Sequence, residues 1–245
     1  GDTLASALLA NGVKLMGRSF KYHRPRGLMT AGSEEPNALV EIIDGAQQTP
    51  NTRATMQEIY GGLEARSQNR WPSLRWDVMS VNDALSPFFS AGFYYKTFMW
   101  PRAFWEAIYE PLIRRAAGLG RLSGLKDDSP YEQAYAHCDL LVIGAGPAGL
   151  MAALTAARAG ADVILADEGA RMGGRLLSET ITLNGKPGAD WVAETLAELA
   201  AMPNVRLMPR TTVTGAYDDG TYGALERVGL HLAKTQAGLP QECFW

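Results

Sequence analysis

The sequence contains few of the residues that build metal sites. Cysteine occurs twice and histidine three times in 245 residues. Cys138 and Cys243 match no metal-ligand spacing, and the histidines are scattered along the chain. We therefore expect no metal site made of protein side chains. Such sparse cysteine is typical of a reducing compartment, and we expect a cytoplasmic protein.

The sequence also lacks a strong excess of charge of either sign. The formal net charge is −3 and the pI is about 5.7, which gives no electrostatic reason to expect binding to nucleic acid or to an anionic membrane. Hydrophobic residues make up 47% and charged residues 20% of the chain, an ordinary globular composition. No signal peptide pattern opens the sequence. The chain begins at Gly1 without methionine, and we expect a piece of a longer polypeptide.

One uncharged stretch, residues 140–157, approaches the roughly 20 residues that a membrane-spanning helix needs. Its first half contains three glycines and Pro147. That composition is typical of a buried strand that turns into a buried helix, so we predict no membrane span.

The chain divides into three zones that differ in composition and in expected secondary structure. Residues 1–62 combine an apolar helical pattern that begins near Leu4, a basic loop, and a strand that turns at Asp44-Gly45. Residues 63–137 are rich in aromatic residues and form an expected connector, with a helix over about 102–117. Residues 138–245 read strand, helix, strand, helix, strand and hairpin, an α/β pattern that predicts a parallel sheet.

Two features of the first two zones admit more than one interpretation. The basic residues at positions 18–26 form either a solvated loop or a docking surface for another subunit. The aromatic residues of the connector, which include those at positions 93–98, are expected to pack against neighbouring domains or subunits. A stacking platform for nucleic acid would need a basic groove around the rings, which the overall charge does not favour.

A glycine-rich turn between the first strand and the first helix of the third zone carries the clearest functional signal. Residues 144–149 read G-A-G-P-A-G, the G-x-G-x-x-G pattern of dinucleotide-binding folds. Gly144 permits the tight turn, Gly146 lets the backbone approach a pyrophosphate, and Gly149 lets the helix pack closely on the strand. The helix N-terminus, which includes Ala148, presents its N–H groups and positive dipole end to the phosphates.

An acidic residue at the end of the next strand completes this pattern. Glu168 lies 19 positions after Gly149, close to the spacing of about 20 at which a carboxylate binds the adenosine ribose hydroxyls. A carboxylate there disfavours a 2′-phosphate, so NAD or FAD is favoured over NADP. The neighbouring Asp167 belongs to the same predicted site.

Three later positions complete the predicted cofactor site. Gly174, in the pair Gly173-Gly174, is expected to let a loop reach the diphosphate. Arg175 is either an anchor for that diphosphate or part of a plain glycine turn. Val213 is expected where backbone groups of this fold meet the adenine.

Three blocks of sequence resemble the alpha-subunit family of heterotetrameric sarcosine oxidases. They are GDTLASALLANGV with RSFKYHRPRGLMTAG near the start, FYYKTFMWP with AAGLGRL in the middle, and DLLVIGAGPAGL. The resemblance covers the whole chain and implies the N-terminal quarter of a much longer subunit. The implied fold is a β-grasp, ferredoxin-like domain over residues 1–62, then a connector, then a Rossmann-like FAD/NAD(P)-binding domain over 138–245 that is incomplete at the C-terminus.

Related chains hold a [2Fe–2S] cluster in the first of these domains. The resemblance places their four cysteines at Thr30, Glu35, Ala38 and Thr55 of this chain. Because such clusters are held by thiolates, the resemblance leads us to expect a cluster-less version of the domain, without iron.

The resemblance also implies a function. Members of the family demethylate sarcosine oxidatively to glycine, produce hydrogen peroxide, and pass the one-carbon unit to tetrahydrofolate. FAD and FMN elsewhere in the complex carry that chemistry, so this segment is expected to bind NAD and to be inactive alone. Beta, gamma and delta subunits are the expected partners. No catalytic set can be assembled from the residues, and none is predicted.

Two alternatives stay open at the level of sequence. An FAD-dependent opine or amino-acid dehydrogenase subunit would share the architecture, and release of FAD rather than NAD would favour it. A non-catalytic assembly module would hold the nucleotide as a structural group, which substrate would never reduce.

Overall fold

The computed structural model describes residues 1–89, 92, 100–232 and 238–245. The chain forms two compact units, Asp2–Asp127 and Asp128–Trp245, with Gly1 grouped with the latter. The aromatic residues at positions 93–98 lie outside the described residues. The division into zones at 62/63 and 137/138 stays a prediction.

The first unit contains a short helix and an antiparallel sheet. Its first six elements are α1 (Leu4–Ala10), β1 (Gly17–Arg18), β2 (Pro25–Arg26), β3 (Leu39–Asp44), β4 (Gln47–Arg53) and β5 (Glu64–Ser67). The three longer strands form a sheet in the order β4-β3-β5, with both neighbours antiparallel to β3. Together with the parallel sheet of the second unit, this gives the mixed α/β architecture that the sequence predicts; the finer β-grasp assignment stays a prediction.

The side chain of Thr3 caps the N-terminus of helix α1. The Thr3 hydroxyl accepts the N–H of Ser6 at 3.2 Å, and the Ser6 hydroxyl accepts the N–H of Thr3 at 3.0 Å. This reciprocal capping satisfies two N–H groups that a helix N-terminus otherwise leaves unpaired. The helix buries Ala5 in a small core that also contains Met16, Ala38, Val40, Ile42 and Ala54.

The connector contains short helical segments. They are a 3₁₀ turn at Val78–Ser80, α2 at Val81–Ala84, a 3₁₀ turn at Ser86–Phe88, a π-helical turn at Trp105–Tyr109 and α3 at Glu110–Ala116. The helix predicted over 102–117 is therefore confirmed, with its first turn in the π form. Gly118, at a φ of +68°, follows its end, as expected for a glycine beyond a helix C-terminus.

The basic loop at 18–26 is more strongly fixed than a solvated loop would be. Arg18 has a side chain that is 7% exposed, and its guanidinium donates to the carbonyls of Leu74 and His23, each at 2.9 Å. Arg24 forms an ion pair with Asp83 at 2.7 Å. The solvated interpretation is therefore wrong for Arg18, and the docking surface stays a prediction.

The described residues of the second unit form a three-stranded sheet, a four-stranded sheet, a two-stranded antiparallel pair and two long helices. Its elements are β6 (Tyr131–Gln133), β7 (Leu140–Ile143), α4 (Pro147–Arg158), β8 (Val163–Ala166), β9 (Thr182–Leu183), β10 (Lys186–Pro187), α5 (Gly188–Ala201), β11 (Val205–Met208), β12 (Thr211–Ala216), β13 (Tyr222–Arg227) and β14 (Glu242–Phe244). Among the described residues, no helix has the length and apolar composition needed to cross a membrane.

The parallel sheet of this unit has the order β11-β8-β7. All four residues of the central strand β8 are buried, because a central strand of such a sheet is covered on both faces. Helices α4 and α5 contribute Leu150, Leu154, Val192 and Leu199 to the core beside it. The predicted strand–helix–strand unit is thus confirmed.

The second sheet follows β11 and has the order β12-β13-β14-β6. Strands β12 and β13 form the predicted hairpin, and its turn places Asp219 and Gly220 at φ values of +58° and +69°. Such positive φ values favour Asp and Gly at a hairpin turn, which is why the sequence signal was reliable.

Candidate functional site

The glycine turn joins the end of β7 to the start of α4. Gly144 has a φ of +94°, a conformation that residues with a side chain rarely adopt. Its N–H donates to the carbonyl of Ala166 at 2.8 Å, which fixes the turn to the end of β8. The turn therefore lies at the carboxyl ends of two parallel strands, where ligands bind in folds of this type.

The close approach of helix and strand at the turn depends on one glycine. A Cβ atom built on Gly149 would lie 1.9 Å from the carbonyl oxygen of Gly144, whereas a Cβ atom built on Gly146 would meet nothing within 4 Å. Gly149 is therefore required by packing inside the protein. Gly146 faces open space, as expected if its missing side chain makes room for a ligand.

The first turn of α4 presents backbone N–H groups at this place. Gly146 is the residue before the helix, with extended backbone, and among the described residues no side chain caps it. Pro147 has no N–H group, so Ala148 and Gly149 supply the first N–H groups of the helix. The positive end of the helix dipole adds to their attraction for an anion.

The Asp167 carboxylate holds the glycine turn in place. One oxygen accepts the N–H of Ala145 at 2.6 Å, and the other accepts the N–H of Gly169 at 2.7 Å. Hydrogen bonds to an ionised acceptor are among the stronger ones in proteins. Asp167, predicted as a cofactor-binding residue, thus positions the glycine turn.

Glu168 is the second residue after β8 and is partly exposed. Its backbone carbonyl accepts a hydrogen bond from the Arg227 guanidinium. The carbonyl of the preceding residue, Asp167, accepts the N–H of Thr211 at 2.8 Å. The backbone that carries the Glu168 carboxylate is therefore fixed by contacts with the first residue of β12 and the last residue of β13.

The second glycine pair lies against the first glycine turn. The N–H of Gly173 donates to the carbonyl of Ala145 at 2.9 Å, and a Cβ atom on Gly174 would lie 3.0 Å from the Cα atom of Gly146. The structure thus brings Gly174 next to Gly146, although 27 positions separate them in the sequence. Arg175 is 87% exposed and pairs with Glu179 at 2.5 Å.

Val213 lies on β12, opposite Ala224 of β13. It packs against a small cluster formed by Ile164, Ala166 and Met208. Its strand begins beside the end of β8, next to Asp167. Val213 is thus near the predicted adenine side of the site, but its contact with a nucleotide stays a prediction.

Two contributors to the site had no sequence signal. Ala145 is fully buried and uses both its N–H and its carbonyl to hold the turn, to Asp167 and to Gly173. Arg227 holds the backbone of Glu168 from a strand 59 positions later. Both roles are made by contacts between distant segments, which a local pattern does not reveal.

The four positions at which the resemblance places cluster cysteines lie close together in the first unit. The Glu35 carboxylate accepts the N–H of Thr30 at 2.8 Å. The Thr55 hydroxyl donates to the carbonyl of Gly32 at 2.8 Å, and the N–H of Ala54 donates to the carbonyl of Ala38 at 2.9 Å. A single loop, residues 28–38, thus carries three of these positions and contacts the fourth.

Glu35 is the most buried charged residue of this loop, with no exposed surface. Burial by itself raises the pKa of its carboxyl group, but hydrogen bonds from the backbone of Thr30, Asn37, Met29 and Ala38 outweigh burial and hold the pKa below its ordinary value. The carboxyl group is therefore ionised at neutral pH.

Two family matches agree with the two units of the structure. Residues 1–70 match a family described as 2Fe-2S iron-sulfur cluster binding domains. Residues 139–215 match a family described as FAD binding domains, and this range contains the glycine turn, Glu168 and Val213.

Two curated relatives match the chain from end to end. It is 63% identical over 245 residues to the sarcosine oxidase subunit alpha of Rhizobium meliloti (strain 1021), and covers 25% of that protein. The chain corresponds to the N-terminal quarter of a sarcosine oxidase alpha subunit. It is also 35% identical over 250 aligned residues to the sarcosine oxidase subunit alpha of Corynebacterium sp. (strain P-1), and covers 21% of it. The alpha-subunit segment thus spans about a quarter of the relatives that it matches.

A solved structure supports the fold of the alpha-subunit segment. The L-proline dehydrogenase of P. horikoshii aligns with a TM-score of 0.54 and 19% identity, over 92% of this chain and 34% of that one. At this identity the likeness concerns the fold alone.

The comparisons contradict the predicted cofactors. NAD was expected in this segment, and no iron–sulfur cluster. The matched families are instead a 2Fe-2S cluster binding domain over residues 1–70 and an FAD binding domain over residues 139–215. The NAD prediction was wrong because NAD-binding and FAD-binding folds share a G-x-G-x-x-G turn followed by an acidic residue. The prediction of no cluster was wrong because it rested only on the residue types at the four expected ligand positions.

The residues of the segment fit the two implied groups differently. The glycine turn fits a dinucleotide, since Gly146 faces open space beside the first N–H groups of α4. The first unit does not fit a cluster held by four thiolates, because both cysteines of the chain, Cys138 and Cys243, lie outside residues 1–70. Within the described part of the chain, no group of three or more His, Cys, Asp or Glu side chains could hold a metal ion.

Proposed function

We propose that residues 139–215 form the adenine-dinucleotide site of a sarcosine oxidase alpha subunit, with FAD as its nucleotide. The observation that carries the proposal is the close packing of Gly149 on Gly144, which brings the first N–H groups of α4 to the carboxyl ends of β7 and β8. A turn of this shape has room for a pyrophosphate and no need of a side chain to bind it.

Each residue of the site has a distinct part in this proposal. The N–H groups of Ala148 and Gly149 bind the pyrophosphate, and Gly146 leaves space for it. Asp167 and Ala145 keep the turn in shape. Gly174 lets the second loop approach the same phosphates, because a side chain there would meet Gly146 at 3.0 Å.

The adenosine half of the nucleotide is assigned to the other side of β8. The Glu168 carboxylate accepts hydrogen bonds from the ribose hydroxyls, and Val213 contacts the adenine. Arg175 contributes least in this proposal, since its exposed side chain is already paired with Glu179. When bound, the flavin of FAD supplies electron-transfer chemistry, and the residues named here bind and orient it.

The segment is proposed to support amine oxidation without performing it. The name of its relatives implies sarcosine as substrate and further subunits as partners. The predicted transfer of the one-carbon unit to tetrahydrofolate and the FMN of the complex are proposed to lie outside these residues. The domain assignments, a β-grasp fold for the first unit and a Rossmann-like fold for the second, belong to the same proposal.

Identification of the bound nucleotide tests this function. The full-length alpha subunit is purified free of the other subunits and denatured, and the released compounds are identified by mass spectrometry. We expect FAD in stoichiometric amount with the subunit. Release of NAD alone would keep the dinucleotide site and refute the FAD assignment, and release of no adenine dinucleotide would refute both.

A substitution at Glu168 tests the ribose contact. Loss of a hydrogen bond to a charged group costs about 1.5–3 kcal/mol, so we expect Glu168→Gln to weaken binding of the nucleotide by roughly ten- to a hundredfold in a titration. Glu194→Gln is the matched control, because Glu194 is exposed and pairs with Lys186. Equal affinities of the two variants would remove Glu168 from the site.

A further inference from the structure

The loop at residues 28–38 surrounds a buried carboxylate with backbone N–H groups. One oxygen of Glu35 accepts the N–H groups of Met29 and Thr30, each at 2.8 Å, and the other accepts the N–H of Asn37 at 2.8 Å. The three donors come from both ends of the loop. A carboxylate in this position therefore connects the two ends through charge-assisted hydrogen bonds.

The surroundings of the carboxylate fix it further. The carbonyl of Glu35 accepts from the Arg53 guanidinium at 3.3 Å, and the Thr55 hydroxyl holds the loop at Gly32. The side chain of Glu35 has no exposed surface. A buried charge is strongly unfavourable unless it is well hydrogen-bonded, so the carboxylate and the loop N–H groups depend on each other.

Backbone N–H groups that converge in a loop form an anion-binding concavity. In cluster-bearing proteins, hydrogen bonds of this kind reach the sulfur atoms of the cluster. In this chain the matched cluster-binding domain has no cysteine, and the N–H groups reach a carboxylate of the chain itself.

We infer that the loop at residues 28–38 is an anion site whose ligand is the Glu35 side chain. The carboxylate organises the loop and the contact with Thr55, and a variant without it leaves a site for a small external carboxylate. This inference concerns the first unit and does not depend on the proposed dinucleotide site of the second.

Chemical rescue gives a direct test. Glu35→Ala removes a CH2–COO⁻ group, and acetate has the size and charge to replace it. In the full-length protein, hydrogen–deuterium exchange of the peptide that covers residues 28–38 is measured by mass spectrometry. We expect exchange on the order of tenfold faster in Glu35→Ala than in the parent protein, and we expect acetate to restore slow exchange with a saturable dose dependence, whereas sodium chloride at the same ionic strength does not.

The neighbouring Glu34 provides the matched control, because its side chain is exposed and one position away. Exchange in Glu34→Ala is expected to equal that of the parent. If Glu35→Ala does not accumulate as a folded protein, exchange of the same peptide is measured in Glu35→Gln. We expect faster exchange in this variant because the side chain has lost its charge. Unchanged exchange in the Glu35 variants, or rescue by chloride as good as that by acetate, would overturn the inference.

Discussion

Two glycines of the second unit have different roles, one in internal packing and the other in the proposed binding of a ligand. Gly149 and Gly146 lie three positions apart in one turn, yet only a Cβ atom on Gly149 would collide with backbone, at 1.9 Å from the Gly144 oxygen. One glycine is therefore needed by the protein alone. The other, in the proposed site, leaves room for the ligand.

This difference leads to a paired prediction. We expect Gly149→Ala to destabilise the protein by about 1–3 kcal/mol, as overpacking of a tight contact does, and to abolish nucleotide binding. We expect Gly146→Ala to keep the stability of the parent without nucleotide and to bind the nucleotide at least about tenfold more weakly. Thermal unfolding and nucleotide titration of both variants give the answer. Unimpaired binding by Gly146→Ala would show that the phosphates lie elsewhere.

Glu35 gives the first unit a predictable dependence on pH. Its folded pKa is lowered, so its contribution to stability is fully present above the unfolded value of about 4.3 and is lost as the pH falls through the lowered folded value.

We therefore expect the stability difference between the parent and Glu35→Gln to shrink on acidification. Urea unfolding at neutral pH should show the parent more stable by about 1.5–3 kcal/mol, and the difference should fall steadily below a pH of about 4. A constant difference between pH 7 and pH 3 would mean that the carboxyl group is not ionised in the folded protein.

At the scale of elements, the end of β8 and the glycine turn act as one structure. The Asp167 carboxylate joins them through the N–H groups of Ala145 and Gly169, and Gly173 adds a third contact at the Ala145 carbonyl. The geometry of the N–H groups that are proposed to bind the phosphates thus depends on a side chain that is not proposed to touch the phosphates.

Asp167→Asn tests this dependence. An amide replaces one of the two acceptor oxygens by an N–H donor, so one of the two backbone N–H groups loses its partner, at a cost of about 1–3 kcal/mol. We expect lower stability together with weaker nucleotide binding. Asp190→Asn, near the start of α5 and exposed, is the control. Full stability of Asp167→Asn would show that the turn does not need this carboxylate.

The elements that could be predicted from the sequence are those specified by residues that lie close together along the chain. The helical pattern near Leu4, the turn at Asp44-Gly45 and the G-x-G-x-x-G pattern each lie within a few residues of the structure that they specify. The parallel pairing of β6 with β14 joins Tyr131 to Glu242, and no local pattern predicts it. The same reason explains why Gly144, Gly146 and Gly149 could be assigned from sequence whereas Arg227 could not.

Across the whole molecule, the two units match families that bind different cofactors. The first unit matches a cluster-binding family over residues 1–70, which contain no cysteine, and it buries the Glu35 carboxylate in that range. The second unit matches an FAD-binding family and retains the glycine turn of that fold. The family matches therefore cover part of each unit, whereas individual residues decide what each unit can bind.

The most direct test of the dinucleotide site is an experimental structure of the full-length alpha subunit with its bound nucleotide. We expect the pyrophosphate within hydrogen-bonding distance of the N–H groups of Ala148 and Gly149, with the adenosine ribose at Glu168. A structure in which side chains fill the space beside Gly146, or in which the nucleotide lies away from the start of α4, would contradict the account.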